Sequence, residues 1–189
     1  VEDFGQFDED SYFELGSSYW NEDDEHYILT EAQGGQKGRL FNVSEFPMAI
    51  FTAEFDIRIG GGNGADGMTF AWVRDYEYAQ GGGGAELDFW RASGFAIEFD
   101  CYPNGGYGDP NGQHIGLLLN GVDTHLATWA ANEGDFEDDQ WHHVIVTNFL
   151  GRVQVTWEDE VIIDHEIDDF EPFQGYFGFT AATGASHNW

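Results

Sequence analysis

Hydrophobic and polar positions alternate with a period of two along much of this chain. Phe51, Ala53, Phe55, Ile57 and Ile59 interleave with Thr52, Glu54, Asp56 and Arg58. That pattern predicts a half-buried strand with one face inward. Gly67 to Val73 (GMTFAWV) is apolar on both sides, as a central strand should be. Phe95, Ile97 and Phe99 alternate with Ala96, Glu98 and Asp100, and Ile115 to Leu119 is a short apolar run. Trp141 to Thr147 and Arg152 to Trp157 flank Asn148 to Gly151, which predicts a hairpin. Val161 to Ile163 and Tyr176 to Ala181 supply two more strands. Helical periodicity is confined to one turn at Tyr76 to Ala79, ended by Gly81 to Gly84. Gly60 to Gly64, Asn104-Gly105-Gly106, Asp109-Pro110-Asn111-Gly112 and Asn120-Gly121 punctuate the strands. The reading is all-β, an antiparallel sandwich or jelly roll. No internal repeat or linker divides it, so residues 1–189 read as a single domain.

Composition sharpens this picture. The chain is 41% hydrophobic, enough for a packed core rather than global disorder. Six basic residues stand against 36 acidic ones, a net charge of −30. Such a field repels nucleic acid and anionic membrane and attracts cations. No apolar run approaches the roughly 20 residues of a membrane span. Cys101 is the single cysteine, so no disulfide can staple the loops within the chain, and a metal is the natural substitute. The start at Val1, without a charged and apolar leader, reads as a processed protein or a domain cut from a larger one.

The chemistry concentrates between Phe95 and Gly116 (FAIEFDCYPNGGYGDPNGQHIG). Residues two apart share a face, so Glu98 and Asp100 point the same way, with Phe95, Ile97 and Phe99 on the other. Adjacent carboxylates repel unless a cation lies between them. Asn104, Asp109 and His114 follow in a loop. Asp, Asn and carbonyl oxygens suit Ca²⁺, and an added imidazole suits a neighbouring ion such as Mn²⁺ or Zn²⁺. The plain alternative is a charged strand end followed by a polar turn. His142 and His143 read as structural; His26, His125, His165 and His187 are scattered and carry no assigned metal role. Trp20, Trp90 and Trp129 read as core aromatics.

The run from Glu98 to Gly116, E-F-D-x-Y-x-N-x₄-D-P-x₃-H-I-G, resembles the metal-binding stretch of the legume-type (L-type) lectins. The resemblance implies Ca²⁺ held by Asp100, the Tyr102 carbonyl, Asn104 and Asp109. It also implies a transition metal, usually Mn²⁺, held by Glu98, Asp100, Asp109 and His114. Three further segments agree. Gly64 to Trp72 (GADGMTFAW) is similar to the motif whose Asp accepts from sugar hydroxyls after a cis peptide, here Asp66 after Ala65. Gly81 to Gly84 resembles the glycine loop that donates a backbone N–H to the sugar, with Gly83 as the donor. Gly175 to Gly184 (GYFGFTAATG) resembles the terminal strand, followed by a variable specificity loop at Ala185, Ser186 and His187. Leu29 to Leu40 is similar to the early part of bacterial members. By the same resemblance Tyr102 stacks under the pyranose and Asn104 donates its amide.

The implied protein is an extracellular, Ca²⁺-dependent glycan binder with the concanavalin A-like sandwich, alone or in an oligomeric or multidomain context. Two departures stand out. Four residues separate Asn104 from Asp109, one more than in plant members, and relatives continue past the position of Trp189 with a further strand.

Two other functions fit the same sandwich. Glu166 to Glu171 (EIDDFE) nearly spells the catalytic strand of a retaining glycoside hydrolase, in which carboxylates stand about 5 Å apart. Asp169, however, falls where that motif wants an apolar residue. A polysaccharide lyase is the related enzymatic reading. A non-glycan adhesin or scaffold module would use Ca²⁺ for rigidity alone.

Overall fold

A computed structural model describes residues 11–76, 82–110, 112–132 and 134–188. Fourteen strands run through them: β1 (Tyr12–Gly16), β2 (Tyr19–Asn21), β3 (His26–Ile28), β4 (Lys37–Asn42), β5 (Phe46–Pro47), β6 (Ile50–Arg58), β7 (Gly67–Val73), β8 (Gly94–Asp100), β9 (His114–Leu119), β10 (His125–Ala130), β11 (Trp141–Phe149), β12 (Arg152–Trp157), β13 (Glu160–Glu166) and β14 (Gln174–Ala182). The larger sheet has the order β1-β4-β14-β7-β8-β9-β10, with β5 paired to the start of β14. The smaller sheet is β13-β12-β11-β6, and β2 pairs with β3. Every pairing is antiparallel.

The sheets pack face to face through the apolar positions of the period-two pattern. Phe95, Ile97 and Phe99 of β8 meet Ile57 of β6, Val144 and Val146 of β11, and Val153 and Val155 of β12 in one core. This is the interdigitated interior of an antiparallel sandwich. The other face of the larger sheet is also covered. Ala71, Val73, Ala96 and Leu118 form a second cluster with Phe89, Ala92 and Val122 from the loops above. Because both faces of β8 are covered, all seven of its residues are buried, including Glu98 and Asp100.

The predicted strands from residue 51 onward are all present, and the hairpin pairs Phe149 with Arg152 across its turn. The early strands β1 to β5 and strand β10 are additions to the sequence reading. The sequence reading places no strand at Lys37 to Asn42, yet β4 lies inside the sheet between β1 and β14. A side chain at Gly38 would stand 1.8 Å from the Leu29 carbonyl oxygen, so glycine serves close backbone approach there. The predicted helical turn at Tyr76 to Ala79 falls mostly outside the described residues. The glycine loop, described from Gly82, contains a short 3₁₀ turn at Gly84–Glu86. No helix among the described residues is long and apolar enough to cross a membrane.

Candidate carbohydrate and metal site

The candidate site lies where β7, β8 and β14 meet at one end of the larger sheet. Asp66 precedes β7, and the Ala65–Asp66 peptide is cis, as the resemblance implies. Its backbone is held from both neighbours. Asp66 N–H donates to the Ala182 carbonyl at 3.3 Å, and the Asp66 carbonyl accepts from Cys101 N–H at 2.8 Å. The end of β14 and the loop after β8 are thereby tied to one residue.

Two glycines make room for the Asp66 side chain. A Cβ on Gly184 would stand 2.9 Å from Asp66 Oδ2, and one on Gly84 would stand 3.5 Å from the same atom. The residue is 5% exposed, and Oδ2 is buried without a hydrogen-bond partner. Burial pushes the Asp66 carboxyl up to about 6, although the Gly184 backbone N–H pulls the other way. A buried acceptor left unserved is costly until a donor reaches it.

That shift has a consequence for stability. An unfolded Asp titrates near 3.9. The native state therefore holds this proton more tightly, and its contribution to stability falls as pH rises from about 4 to 6, then levels off. Asp66→Asn cannot ionise. In chelator it should melt with the wild type near pH 4 and progressively above it up to pH 6. Calorimetric melting across that range measures the gap, and a gap that stays constant with pH contradicts the assignment.

The metal-type residues gather beside Asp66. Glu98 and Asp100 come from β8 and His114 from the start of β9, where Asp100 pairs with His114 and Glu98 with Gly116. Ligand-type atoms of Asp100, Asp109 and His114 lie within 4.8 Å of one another, and so do those of Glu98, His114 and His125. His114 is fully buried, not a surface histidine. Burial pushes the Glu98 carboxyl up, but the adjacent His114 and His125 imidazoles outweigh it and hold it below the usual range. For Asp100 the nearby His114 and the Tyr102 N–H pull the same way but do not prevail. Burial and then the charge of Glu98 push its carboxyl well above the ordinary value.

The loop from Tyr102 to Asp109 is closed by its own polar groups. Tyr102 N–H donates to Asp100 Oδ1 at 2.7 Å, Asn104 N–H to Asp109 Oδ2 at 2.6 Å, and the Asn104 amide to the Tyr102 carbonyl at 2.9 Å. The Tyr102 side chain stands out of this loop, 46% exposed.

Gly116 is needed for the cluster to close. A Cβ there would stand 2.2 Å from Glu98 Oε1 and 3.1 Å from its Cγ. Gly116→Ala should therefore destabilise the protein by about 1–3 kcal/mol through overpacking. Urea denaturation reads this directly, and an unchanged midpoint contradicts it.

The sequence profile of the legume lectin domain matches residues 35–188. The chain belongs to the legume lectin domain family. It is 30% identical over 133 residues to the seed lectin of Styphnolobium japonicum, a stretch covering 64% of this chain and 44% of that lectin. The match thus spans less than half the length of that curated relative. Peanut lectin, solved with a 9-residue peptide, superposes with a TM-score of 0.79 at 22% identity, over 98% of this chain and 91% of that one. The exoplasmic/lumenal domain of VIP36, solved in a Ca²⁺- and Man3GlcNAc-bound form, gives 0.74 at 23% identity, over 94% and 80%. At these identities the superpositions establish the sandwich fold alone.

Within this legume lectin domain, the sequence-expected residues are distributed as follows. Glu98, Asp100, Asp109 and His114 converge. Tyr102 and Asn104 form the loop beside them, and Asp66 is joined to that loop through Cys101. The glycine backed against the Asp66 carboxylate is Gly84, one position beyond Gly83, whose own Cβ direction meets nothing nearer than 3.7 Å. Ala185 is exposed and Ser186 half-buried; the Ser186 carbonyl accepts from Gly184 N–H at 3.1 Å. The loop after β14 thus starts at the residue that walls Asp66.

Sequence reasoning missed His125, which lies in the Glu98–His114 cluster although it carried no assigned role. The catalytic-strand alternative loses its geometry. Glu166 ends β13, Ile167 is buried and Asp168–Asp169 form a turn, so the carboxylates do not alternate along one strand face.

Proposed function

We propose that this domain is a calcium-dependent carbohydrate-binding lectin, with Asp66 as its central sugar acceptor. One observation carries the reading: a buried carboxylate with an unserved oxygen, walled by two glycines and tied by its backbone to an oxygen-rich loop. Sugars are neutral and hydrated, so binding must replace water with aimed hydrogen bonds and an apolar contact. Asp66 accepts from two adjacent hydroxyls. A backbone N–H of the Gly83–Gly84 turn and the Asn104 amide donate. The exposed Tyr102 ring stacks on the C–H face of the pyranose. Ala185 and Ser186 border the site and select among sugars.

The donor set around Asp100 fits a hard cation. Asp100, Asp109, Asn104 and the Tyr102 carbonyl would hold Ca²⁺, while Glu98, Asp100, Asp109 and His114 would hold a transition ion such as Mn²⁺. Ca²⁺ held there would supply the positive charge that draws these oxygens together and fixes the loop from Tyr102 to Asp109 before the sugar arrives, lowering the entropy cost of binding. Single-site affinity is expected to be roughly millimolar to micromolar. Avidity then comes from several domains on one surface, through oligomers or a multidomain parent.

We read residues 1–189 as one such domain, acting outside the cell on polysaccharide or glycoprotein surfaces. The bacterial affinity rests on the Leu29–Leu40 segment. A glycan array probed in Ca²⁺ and again in chelator tests the function. Chelator-sensitive sugar hits support it. Their absence favours a module rigidified by Ca²⁺ for another purpose, and cleavage of the glycans by the wild type would replace binding with catalysis.

A further inference from the structure

The second histidine beside Glu98 has no part in the reading above. His125 opens β10 opposite Leu118, and a register shift follows it before Ala127 pairs with Leu117. The shift leaves His125 on the same side of the sheet as Glu98, where its ring centroid lies 5.6 Å from that of His114. The two imidazoles converge on one atom. His114 Nε2 lies 3.1 Å and His125 Nε2 2.5 Å from Glu98 Oε1, with Asp109 Oδ1 3.9 Å from His125 Nε2. The His125 side chain is 9% exposed. Its Nε2 is buried without a hydrogen-bond partner.

Hydrogen bonding alone serves this arrangement poorly. His114 Nδ1 lies 3.4 Å from the Gly112 carbonyl, which can only accept, and its Nε2 faces a carboxylate, which also accepts when ionised. A neutral imidazole cannot donate on both sides, so without a metal His114 must carry two protons inside the core. A metal ion satisfies the same groups with a neutral ring. The Gly112 carbonyl then holds the proton on Nδ1 and leaves the Nε2 lone pair for coordination. Two atoms each about 2.1 Å from a metal lie roughly 3–3.4 Å apart, the range of the His114–Glu98 separation.

We propose that His125 joins Glu98 and His114 as a ligand, making a two-imidazole site that takes Zn²⁺, Co²⁺ or Ni²⁺ in preference to Mn²⁺. The proposal rests on the reading that Glu98 and His114 hold a transition ion. Carboxylate and water ligands suit Mn²⁺, whereas each added imidazole favours the later first-row ions.

The test uses the full chain stripped with chelator and then titrated calorimetrically with Zn²⁺, Co²⁺, Mn²⁺ and Ca²⁺. The wild type should bind Zn²⁺ and Co²⁺ at least about 100-fold more tightly than Mn²⁺. His125→Ala should lose at least about tenfold of the Zn²⁺ and Co²⁺ affinity while its Ca²⁺ titration is unchanged, and His125→Gln should behave the same way. The Co²⁺-loaded wild type should show two paramagnetically shifted, exchangeable imidazole N–H proton resonances, a count that needs no variant. A single such resonance, or equal Zn²⁺ and Co²⁺ affinity in wild type and both variants, overturns the role of His125 and leaves the Glu98–His114 site standing. No transition-ion binding by the wild type overturns both.

Discussion

Asp66→Ala is expected to abolish measurable sugar binding while leaving the fold intact. The two halves of this result have separate physical causes. Binding fails because the carboxylate is the acceptor for two hydroxyls, and hydrogen bonds to a charged group contribute about 1.5–3 kcal/mol each. Losing both costs about 3–6 kcal/mol, or roughly a hundredfold to ten-thousandfold in affinity. A binder in the millimolar to micromolar range then falls below detection by titration. The fold survives because the bonds that place residue 66 are made by its backbone, to Ala182 and from Cys101, and an alanine keeps both. Its lost Oδ2 has no partner in the free protein. Asp66→Asn separates shape from charge: it fills the same space but offers one oxygen and an N–H₂ in place of two acceptors. It should bind far more weakly than the wild type. If either variant retains affinity within about threefold, Asp66 is not the sugar acceptor.

The reach of sequence reasoning followed the range of the contacts involved. Strands β6, β7, β8 and β9 and the β11–β12 hairpin were legible because their faces are written in local alternation, with Phe95, Ile97 and Phe99 on one face and Glu98 and Asp100 on the other, which is also covered. Strands β1 to β4 were not. Their place depends on pairings such as Thr180 with Arg39, which join distant parts of the chain, and β2 and β3 are only three residues long, too short to show a period. The same division runs through the candidate site. Glu98 to His114 is one continuous segment, so its shared face could be read from spacing. Asp66 and the Gly184 loop were recognisable only by resemblance, since nothing local to Asp66 foretells a wall contributed by the end of β14. His125 carried neither signal. It comes from the neighbouring strand, and the register shift after it breaks the alternation that would have shown its facing. Gly83 was reached by resemblance alone, because a run of glycines has no internal landmark.

Asp100→Ala should remove both Ca²⁺ binding and sugar binding, yet raise the stability of the metal-free protein. Asp100 is almost fully buried among Glu98, Asp109 and His114, and its carboxyl is pushed well above the usual range by that burial and by Glu98. In the absence of an ion it is a strained group, so its removal relieves like-charge repulsion. With ions bound it would be, like Asp109, an oxygen donor to both proposed metal sites. Leaving a buried charge without its partner costs about 3–5 kcal/mol, so Ca²⁺ affinity should fall by at least about 100-fold. The Tyr102 N–H also loses its acceptor, which loosens the loop that carries the stacking ring. The two effects predict a crossing. In chelator the variant melts above the wild type. In Ca²⁺ the wild type gains stability by mass action, about 2.7 kcal/mol at a hundredfold excess over Kd, and the variant gains none. Asp109→Ala should likewise lose Ca²⁺ and sugar binding, because its Oδ2 closes the same loop through Asn104 N–H. Calorimetric titration and melting with and without Ca²⁺ measure all of this. Ca²⁺ binding retained by both variants would place the ion elsewhere and detach the loop from Asp66.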